Sequence, residues 1–197
     1  MAIENEAKPF VLFERWYDEA AACKDIEDPT AMTLATTDER GHPDARQVLL
    51  KGHDERGFVF YTNMTSPKAA QLREVPYAAL CFYWMPLGKQ VRVRGPVELV
   101  SAEEADAYFA TRPRQSRLGV WASKQSQPIE APMALERRLA RHVTRFLFGP
   151  VPRPGFWGGF RVIPEVMEFW LKQPYRLHDR VCYTRTGPGW TCRRLYP

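Results

Sequence analysis

The feature that most constrains this chain is a run of short segments in which apolar residues recur at every second position, each closed by a turn signal. Residues 31–37, 45–51, 58–62, 77–84 and 90–100 all alternate in this way. Asp38-Glu39-Arg40-Gly41, residues 52–57 and Pro86-Leu87-Gly88 supply turns between them. Period-two alternation places one set of side chains on each face of a strand. Several short strands with turns between them predict a small antiparallel barrel or sandwich.

Helical signals interrupt and flank these strands. In residues 9–23, Pro9 suits a first helical position, and Phe10, Phe13, Trp16, Tyr17 and Ala20 recur at spacings of three and four. Ser66-Pro67-Lys68 opens a short helix with Ser66 as N-cap. Ser101-Ala102-Glu103-Glu104 is a capping box whose helix runs to about Thr111, where Pro113 follows. Residues 115–121 form a further helical stretch, and residues 131–148 a longer one with a basic face of Arg137, Arg138, Arg141 and Arg145. Four more alternating segments, 156–163, 166–171, 180–184 and 190–195, complete the chain, with Gly187-Pro188-Gly189 as the last hairpin turn. The pattern predicts one α+β domain spanning residues 1–197, an antiparallel barrel with helices packed outside.

The formal net charge of +5 fits an anionic small ligand as well as nucleic acid. With no block of consecutive Lys or Arg and no nucleic-acid-reading motif, a nucleic-acid partner is not expected. Cys23, Cys81, Cys182 and Cys192 form no CxxC pair or zinc spacing, so free thiols in a reducing compartment are expected, with Cys81 in the core. The N-terminal residues are acidic and polar, and no run is long enough to span a bilayer, so the expected location is cytoplasmic, without a membrane partner.

No Rossmann fingerprint, P-loop, HExxH or GxSxG is present. The histidines are scattered, so no metal site is expected; His42, His53 and His142 read as solvated. The cations say more. In an extended chain, Arg176, His178 and Arg180 of Arg176-Leu177-His178-Asp179-Arg180 line one face, a socket for a phosphate or carboxylate. Arg46, Thr62, Ser66 and Lys68 lie at strand ends and at a helix start, and could converge on one phosphate. Arg46 and Lys51, five positions apart, reach one ligand only if the strand ends, twists or bulges between them. Tyr108, Arg112 and Ser116 form a second polar group around a helix end, and Ser123-Lys124-Gln125-Ser126 a third. Gln90 shares a strand face with Arg92 and Arg94. Two phosphate-competent groups with aromatic neighbours point to two phosphorylated ligands, one of them a possible cofactor.

In order along the chain stand Arg46…Val48-Leu49-Leu50-Lys51, Phe60-Tyr61-Thr62-Asn63, Thr111-Arg112-Pro113-Arg114-Gln115-Ser116, Trp121-Ala122-Ser123-Lys124-Gln125-Ser126, Phe156-Trp157-Gly158-Gly159-Phe160-Arg161, Glu168-Phe169-Trp170, Arg176-Leu177-His178-Asp179-Arg180 and Arg194-Leu195-Tyr196-Pro197. This series resembles the pyridoxine/pyridoxamine 5′-phosphate oxidase family, from about Phe13 to Pro197. The resemblance implies an FMN-binding split barrel of Greek-key type, including a family-specific C-terminal region of about 150–197. It also implies a homodimer with FMN at the subunit interface. Arg46, Lys51, Tyr61, Thr62, Ser66 and Lys68 would hold FMN from one subunit. Gln90, Gln125, Ser126, Trp170 and Arg180 would complete the FMN contacts, partly from the other. Lys51, Tyr108, Arg112 and Ser116 would bind the substrate, the last three around its phosphate. Arg176 and His178 would lie over the substrate ring as the catalytic pair. The implied reaction takes pyridoxamine or pyridoxine 5′-phosphate to pyridoxal 5′-phosphate, with hydride passing to the flavin and O2 reoxidising it to give peroxide.

Three departures from the family pattern stand out. Pro67 replaces the usual Arg after the serine of the phosphate-binding helix start, which predicts weaker FMN binding. About eight residues precede Pro9, with no basic, tyrosine-containing arm among them. Lys172-Gln173-Pro174-Tyr175 replaces a glycine-containing turn before Arg176. The alternatives are a related split-barrel flavin oxidase of the phenazine-biosynthesis type and a flavin- or vitamer-binding module without turnover.

Overall fold

The computed structural model describes residues 3 and 6–197. Its strands are β1 (Ala31–Thr37), β2 (Pro43–Leu49), β3 (Gly52–Asp54), β4 (Gly57–Asn63), β5 (Tyr77–Trp84), β6 (Lys89–Leu99), β7 (Trp157–Val162), β8 (Val166–Leu171), β9 (Asp179–Thr186) and β10 (Gly189–Arg194). The helices are α1 (Pro9–Ala22), α2 (Pro67–Glu74), α3 (Ala102–Thr111), α4 (Arg114–Ala122) and α5 (Ala134–Arg145).

The strands form one antiparallel sheet, in the order β10-β9-β8-β6-β5-β1-β2, with β7 joining β6 to β4 and β4 pairing in turn with β3. The long strand β6 is the pivot. Its first part, Lys89 to Arg94, pairs with β8, and its last residues, Val97 to Leu99, pair with β7. Gly95 sits at the changeover, where a Cβ would fall 1.9 Å from the Ile163 carbonyl oxygen. Only glycine lets the β7–β8 connection pass this close. The sheet curls, giving the antiparallel barrel with outer helices expected of an α+β chain.

Period-two burial is clear where one face meets the core. Met32, Leu34 and Thr36 of β1 are buried, as are Ala78, Leu80, Phe82 and Trp84 of β5. Helix α1 closes the core with Leu12, Phe13, Trp16 and Ala20. Phe13 meets Phe58 and Phe82 edge-on, with centroids 4.8 and 5.2 Å away. Replacing such a fully enclosed ring by alanine costs about 3–5 kcal/mol.

The structure departs from the sequence-based expectation in five places. Residues 52–57 are not only a turn: β3 pairs with β4 there, and His53 is half-buried against Phe13 and Tyr17 rather than solvated. His142 is likewise half-buried, beside Trp121 and Phe146. Cys81 is half-buried between the core residues Leu80 and Phe82. Helix α5 is shorter than the basic stretch and buries none of its residues. Finally, residues 176–180 are not one extended segment. Pro174–Arg176 is a 3-10 turn, Tyr175 and Arg176 are left-handed with φ of 56° and 63°, and β9 begins only at Asp179. All four cysteines are free.

Candidate functional site

The strand ends of β2 and β4, the start of α2, the end of α3 and the loop after α4 converge on a cleft of about 560 Å³. Arg46, Lys51, Tyr61, Thr62, Lys68, Tyr108, Arg112, Gln125 and Ser126 all line it. Arg46, Thr62 and Lys68 of the first expected anion-binding group and Tyr108 and Arg112 of the second therefore share one cleft, whereas Ser66 is buried and does not line it. Ser116 lies in an adjoining cleft of about 300 Å³, which Arg112, Tyr61, Thr62 and Gln125 also border.

Arg46 and Lys51 reach the same space because β2 ends between them. Leu50 N–H donates to the Thr30 carbonyl on the β1 side, whereas Lys51 N–H donates to the Val59 carbonyl of β4. The Arg46 guanidinium is braced by Thr36 Oγ1 at 2.5 Å, by Gln71 Oε1 at 3.2 Å and by the Asp44 carboxylate. Burial works to raise the Asp44 pKa, but the Arg46 charge and hydrogen bond outweigh it and hold the carboxyl below its usual range.

The start of α2 is the more telling end of the cleft. Ser66 occupies the N-cap position, yet its side chain makes no capping bond, and its fully buried Oγ has no partner. Lys68, two positions on, is only 7 % exposed and makes no ion pair among the described residues. Burial lowers its pKa, with Arg46 pushing the same way and Asp44 opposing. A buried ammonium and a buried hydroxyl without protein partners, beside the first N–H groups of a helix, form a cradle suited to a phosphate.

The opposite wall is aromatic. Tyr61 lies parallel to Tyr108, with centroids 4.3 Å apart, and to Trp157 at 5.0 Å. Gly159 makes room for the Tyr61 ring, since a Cβ there would come within 2.7 Å of it. Burial, with Glu104 and Tyr108 nearby and Arg161 opposing, pushes the Tyr61 hydroxyl up to about 12. Beyond this stack Arg112 is half-buried, with one guanidinium nitrogen buried and unpartnered. Burial lowers its pKa, and Tyr108 opposes the shift. Gln125 pins the loop after α4 to β4 by accepting from Thr62 Oγ1 and Asn63 N–H, each at 3.2 Å.

The remaining expected residues gather elsewhere. Gln90, Trp170 and Arg180 are cross-strand neighbours on β6, β8 and β9. Arg180 is tied to Glu168 at 2.7 Å and to the Tyr196 carbonyl at 2.9 Å. His178 lies 4.6 Å from the Trp170 ring centroid and accepts from Gln173 N–H at 3.2 Å. Arg176 is exposed on its left-handed turn. None of these five lines the first cleft. Trp157 and Glu168 stand in quoted motifs but receive no site role from the sequence, and Asp44 is not singled out at all; Trp157 and Asp44 line that cleft, and Glu168 holds Arg180. The Trp157-Gly158-Gly159 run was the available signal, because paired glycines after an aromatic residue mark close ring packing. Among the described residues, no helix is long and apolar enough to cross a membrane.

Residues 18–144 match the family model for "Pyridoxamine 5′-phosphate oxidase", and residues 157–197 match "Pyridoxine 5′-phosphate oxidase C-terminal dimerisation region". Proteins named pyridoxine/pyridoxamine 5′-phosphate oxidase are similar over nearly the whole chain. The one from Maricaulis maris is 56% identical, covering 99% of this chain and 88% of its own. The one from Rhodospirillum rubrum is 52% identical, covering 100% of both. Among solved structures, PhzG from Burkholderia lata 383, in complex with tetrahydrophenazine-1-carboxylic acid, is 30% identical with a TM-score of 0.92, covering 98% of this chain and 95% of its own. A pyridoxamine 5′-phosphate oxidase-related, FMN binding protein from Nostoc punctiforme shares the fold at 18% identity and a TM-score of 0.78, covering 98% of this chain and 100% of its own. The chain belongs to the pyridoxine/pyridoxamine 5′-phosphate oxidase family.

Proposed function

We propose that this chain, folded as one unit, is an FMN-dependent oxidase that converts pyridoxamine and pyridoxine 5′-phosphates to pyridoxal 5′-phosphate with O2 as acceptor. The observation that carries the reading is one cleft lined by two cations that pair with no carboxylate among the described residues, Lys68 near the start of α2 and Arg112 at the end of α3, with the unpartnered Ser66 hydroxyl buried two positions from Lys68. A phosphorylated cofactor and a phosphorylated substrate fit that pair. FMN, when bound, supplies the hydride acceptor for the substrate's C4′ carbon and the reaction with O2 that yields peroxide.

The protein's part is binding and orientation. Lys68, Ser66, Thr62 and the braced Arg46 hold the flavin phosphate through charge-assisted bonds. Arg112, Tyr108 and Ser116 hold the substrate phosphate, and Lys51 stands between the two sites. Gln125 and Ser126 close the loop side. In a homodimer, Gln90, Trp170 and Arg180 complete the flavin site from the partner, and Arg176 and His178 cover the substrate ring. Holding substrate and cofactor together in this way would remove rotational freedom before reaction, which is the gain that positioning offers. No general base is assigned. The four free thiols favour a cytoplasmic setting. Arg112, Ser116, Arg176 and His178 favour a pyridoxal-type phosphate over a phenazine precursor.

The test is anaerobic mixing of the FMN-loaded protein with each substrate while flavin absorbance is followed. Bleaching that reverses in air, with pyridoxal phosphate formed, supports the reading. A flavin that binds and stays oxidised with both substrates overturns it.

A further inference from the structure

Trp157 lies in a quoted motif but receives no site role from the sequence, yet its ring meets Tyr61, Tyr108, Phe109 and Arg112. It opens β7, pairs with Asn63 of β4 and is 5 % exposed. Its ring lies parallel to Tyr61 and also to Tyr108, 6.1 Å away at 10°. Phe109 meets it edge-on at 5.0 Å. The Arg112 guanidinium sits 5.2 Å from its ring centroid, with one nitrogen buried and without a partner. Trp157 lines both the main cleft and the adjoining cleft that contains Ser116.

Its backbone is fixed as well. Arg153 donates to the Trp157 carbonyl at 2.8 Å and to Asp106 of α3 at 2.6 Å. The same short bridge thus ties Trp157 to the helix that carries Tyr108. No carboxylate pairs with Arg112 among the described residues; instead two aromatic faces, those of Trp157 and Phe109, hold the guanidinium in the cleft wall. An aromatic face attracts a cation most strongly when the site is desolvated, and it leaves the guanidinium's hydrogen-bond donors free, which a carboxylate partner would not.

We infer that Trp157 is a positioning residue for substrate-phosphate recognition, holding Arg112 and Tyr108 in a geometry ready for a phosphate monoester. The inference rests on the oxidase reading for the identity of the substrate, but the anion-binding geometry stands apart from turnover. A platform that acts only through phosphate binding changes KM and leaves kcat alone.

The experiment uses the FMN-loaded enzyme and compares the natural protein with Trp157→Leu and Trp157→Phe. The expected result with pyridoxine 5′-phosphate is a KM raised about tenfold in the leucine variant and about threefold in the phenylalanine variant, each with kcat within about twofold. Inorganic phosphate, as a competitor, weakens by matching factors. KM unchanged in both variants, or a fall in kcat with KM unchanged, overturns the proposal. Should the leucine variant not fold, the phenylalanine variant decides by the same criteria. If the natural enzyme shows no turnover, the oxidase reading fails separately. Equilibrium dialysis of pyridoxal 5′-phosphate then tests Trp157, with dissociation constants raised by these factors expected and unchanged ones overturning it.

Discussion

Gly159→Ala tests whether the aromatic wall is as tightly constrained as its geometry implies. An added Cβ would lie 2.7 Å from Cδ1 and Cε1 of Tyr61 and 2.8 Å from Cγ2 of Val100. Carbon atoms prefer about 3.5–4.0 Å, so the ring must retreat by about 0.8 Å. Tyr61 has little room to do so, because Tyr108 stacks on it at 4.3 Å and Trp157 at 5.0 Å. Overpacking of this kind costs about 1–3 kcal/mol, and a disturbed aromatic pair adds about 0.5–1.5 kcal/mol. At about 2–4 °C per kcal/mol for a chain of this size, Tm should fall by roughly 3–18 °C. Gly155→Ala is the internal control: nothing lies within 4 Å of its added Cβ, so its Tm should hold or rise slightly. Thermal unfolding of both apoproteins, followed by titration with pyridoxal 5′-phosphate, gives the two readouts. A Gly159→Ala protein with Tm within about 1 °C of the natural one and unchanged affinity refutes the reasoning.

Three further outcomes are expected. Lys68→Met should leave the apoprotein's Tm unchanged or higher, because a buried ammonium without an ion pair is removed, while FMN affinity falls about 10–100-fold. A large drop in Tm, or full retention of FMN affinity, contradicts this. Pro67→Arg should tighten FMN about tenfold by adding a guanidinium fork at the cleft edge that Pro67 lines, and an unchanged titration curve speaks against it. His53 has a pKa lowered by burial, with Glu14, Asp18 and Asp54 opposing. The unfolded chain therefore binds its proton more readily, and His53 makes stability fall as pH drops below about 6.5. His53→Phe should flatten the loss of Tm between pH 7 and 5, and an identical slope in both proteins counts against the assignment.

The strands were legible because burial follows the pleat. Residues 31–37, 77–84 and 166–171 match β1, β5 and β8 to the residue, and each alternates between core and outside. The capping box was legible too: Ser101 Oγ accepts from Glu104 N–H at 3.1 Å. What escaped depends on contacts between distant parts of the chain. Helix α1 packs over His53, so a residue beside a turn became half-buried. Arg176-Leu177-His178 alternates like a strand, but two consecutive left-handed residues after Pro174 break the extension. Neither Tyr175 nor Arg176 advertises a positive φ, which costs such residues about 1–3 kcal/mol and is found most often at functional sites. Ser66 satisfied every local rule for an N-cap, and still its hydroxyl caps nothing. At that position the sequence rule failed where a ligand-binding role is expected.

The proposed division of the site between two protomers would explain why the expected residues fall into two separate groups. One protomer carries a cleft with buried, unpartnered cationic groups, while the row of Gln90, Trp170 and Arg180 and the turn with Arg176 and His178 lie outside it. Under the proposed reading, each protomer of a two-fold dimer would give its cleft to one site and its sheet row to the other, so that two complete sites would form from one self-complementary surface. Helix α5 buries no residue and leaves Leu135, Leu139 and Val143 exposed at four-residue spacing, followed by Phe148 at 91 %. An apolar stripe of this kind is costly on a free monomer and ordinary beneath a partner. Residues 157–197, which match the dimerisation region, contain both Trp157, beside the cleft, and the Arg176–His178 turn. If the proposed roles of Trp157, Arg176 and His178 hold, the segment that would join the protomers also carries substrate-site residues, and a change in it would alter recognition and assembly together.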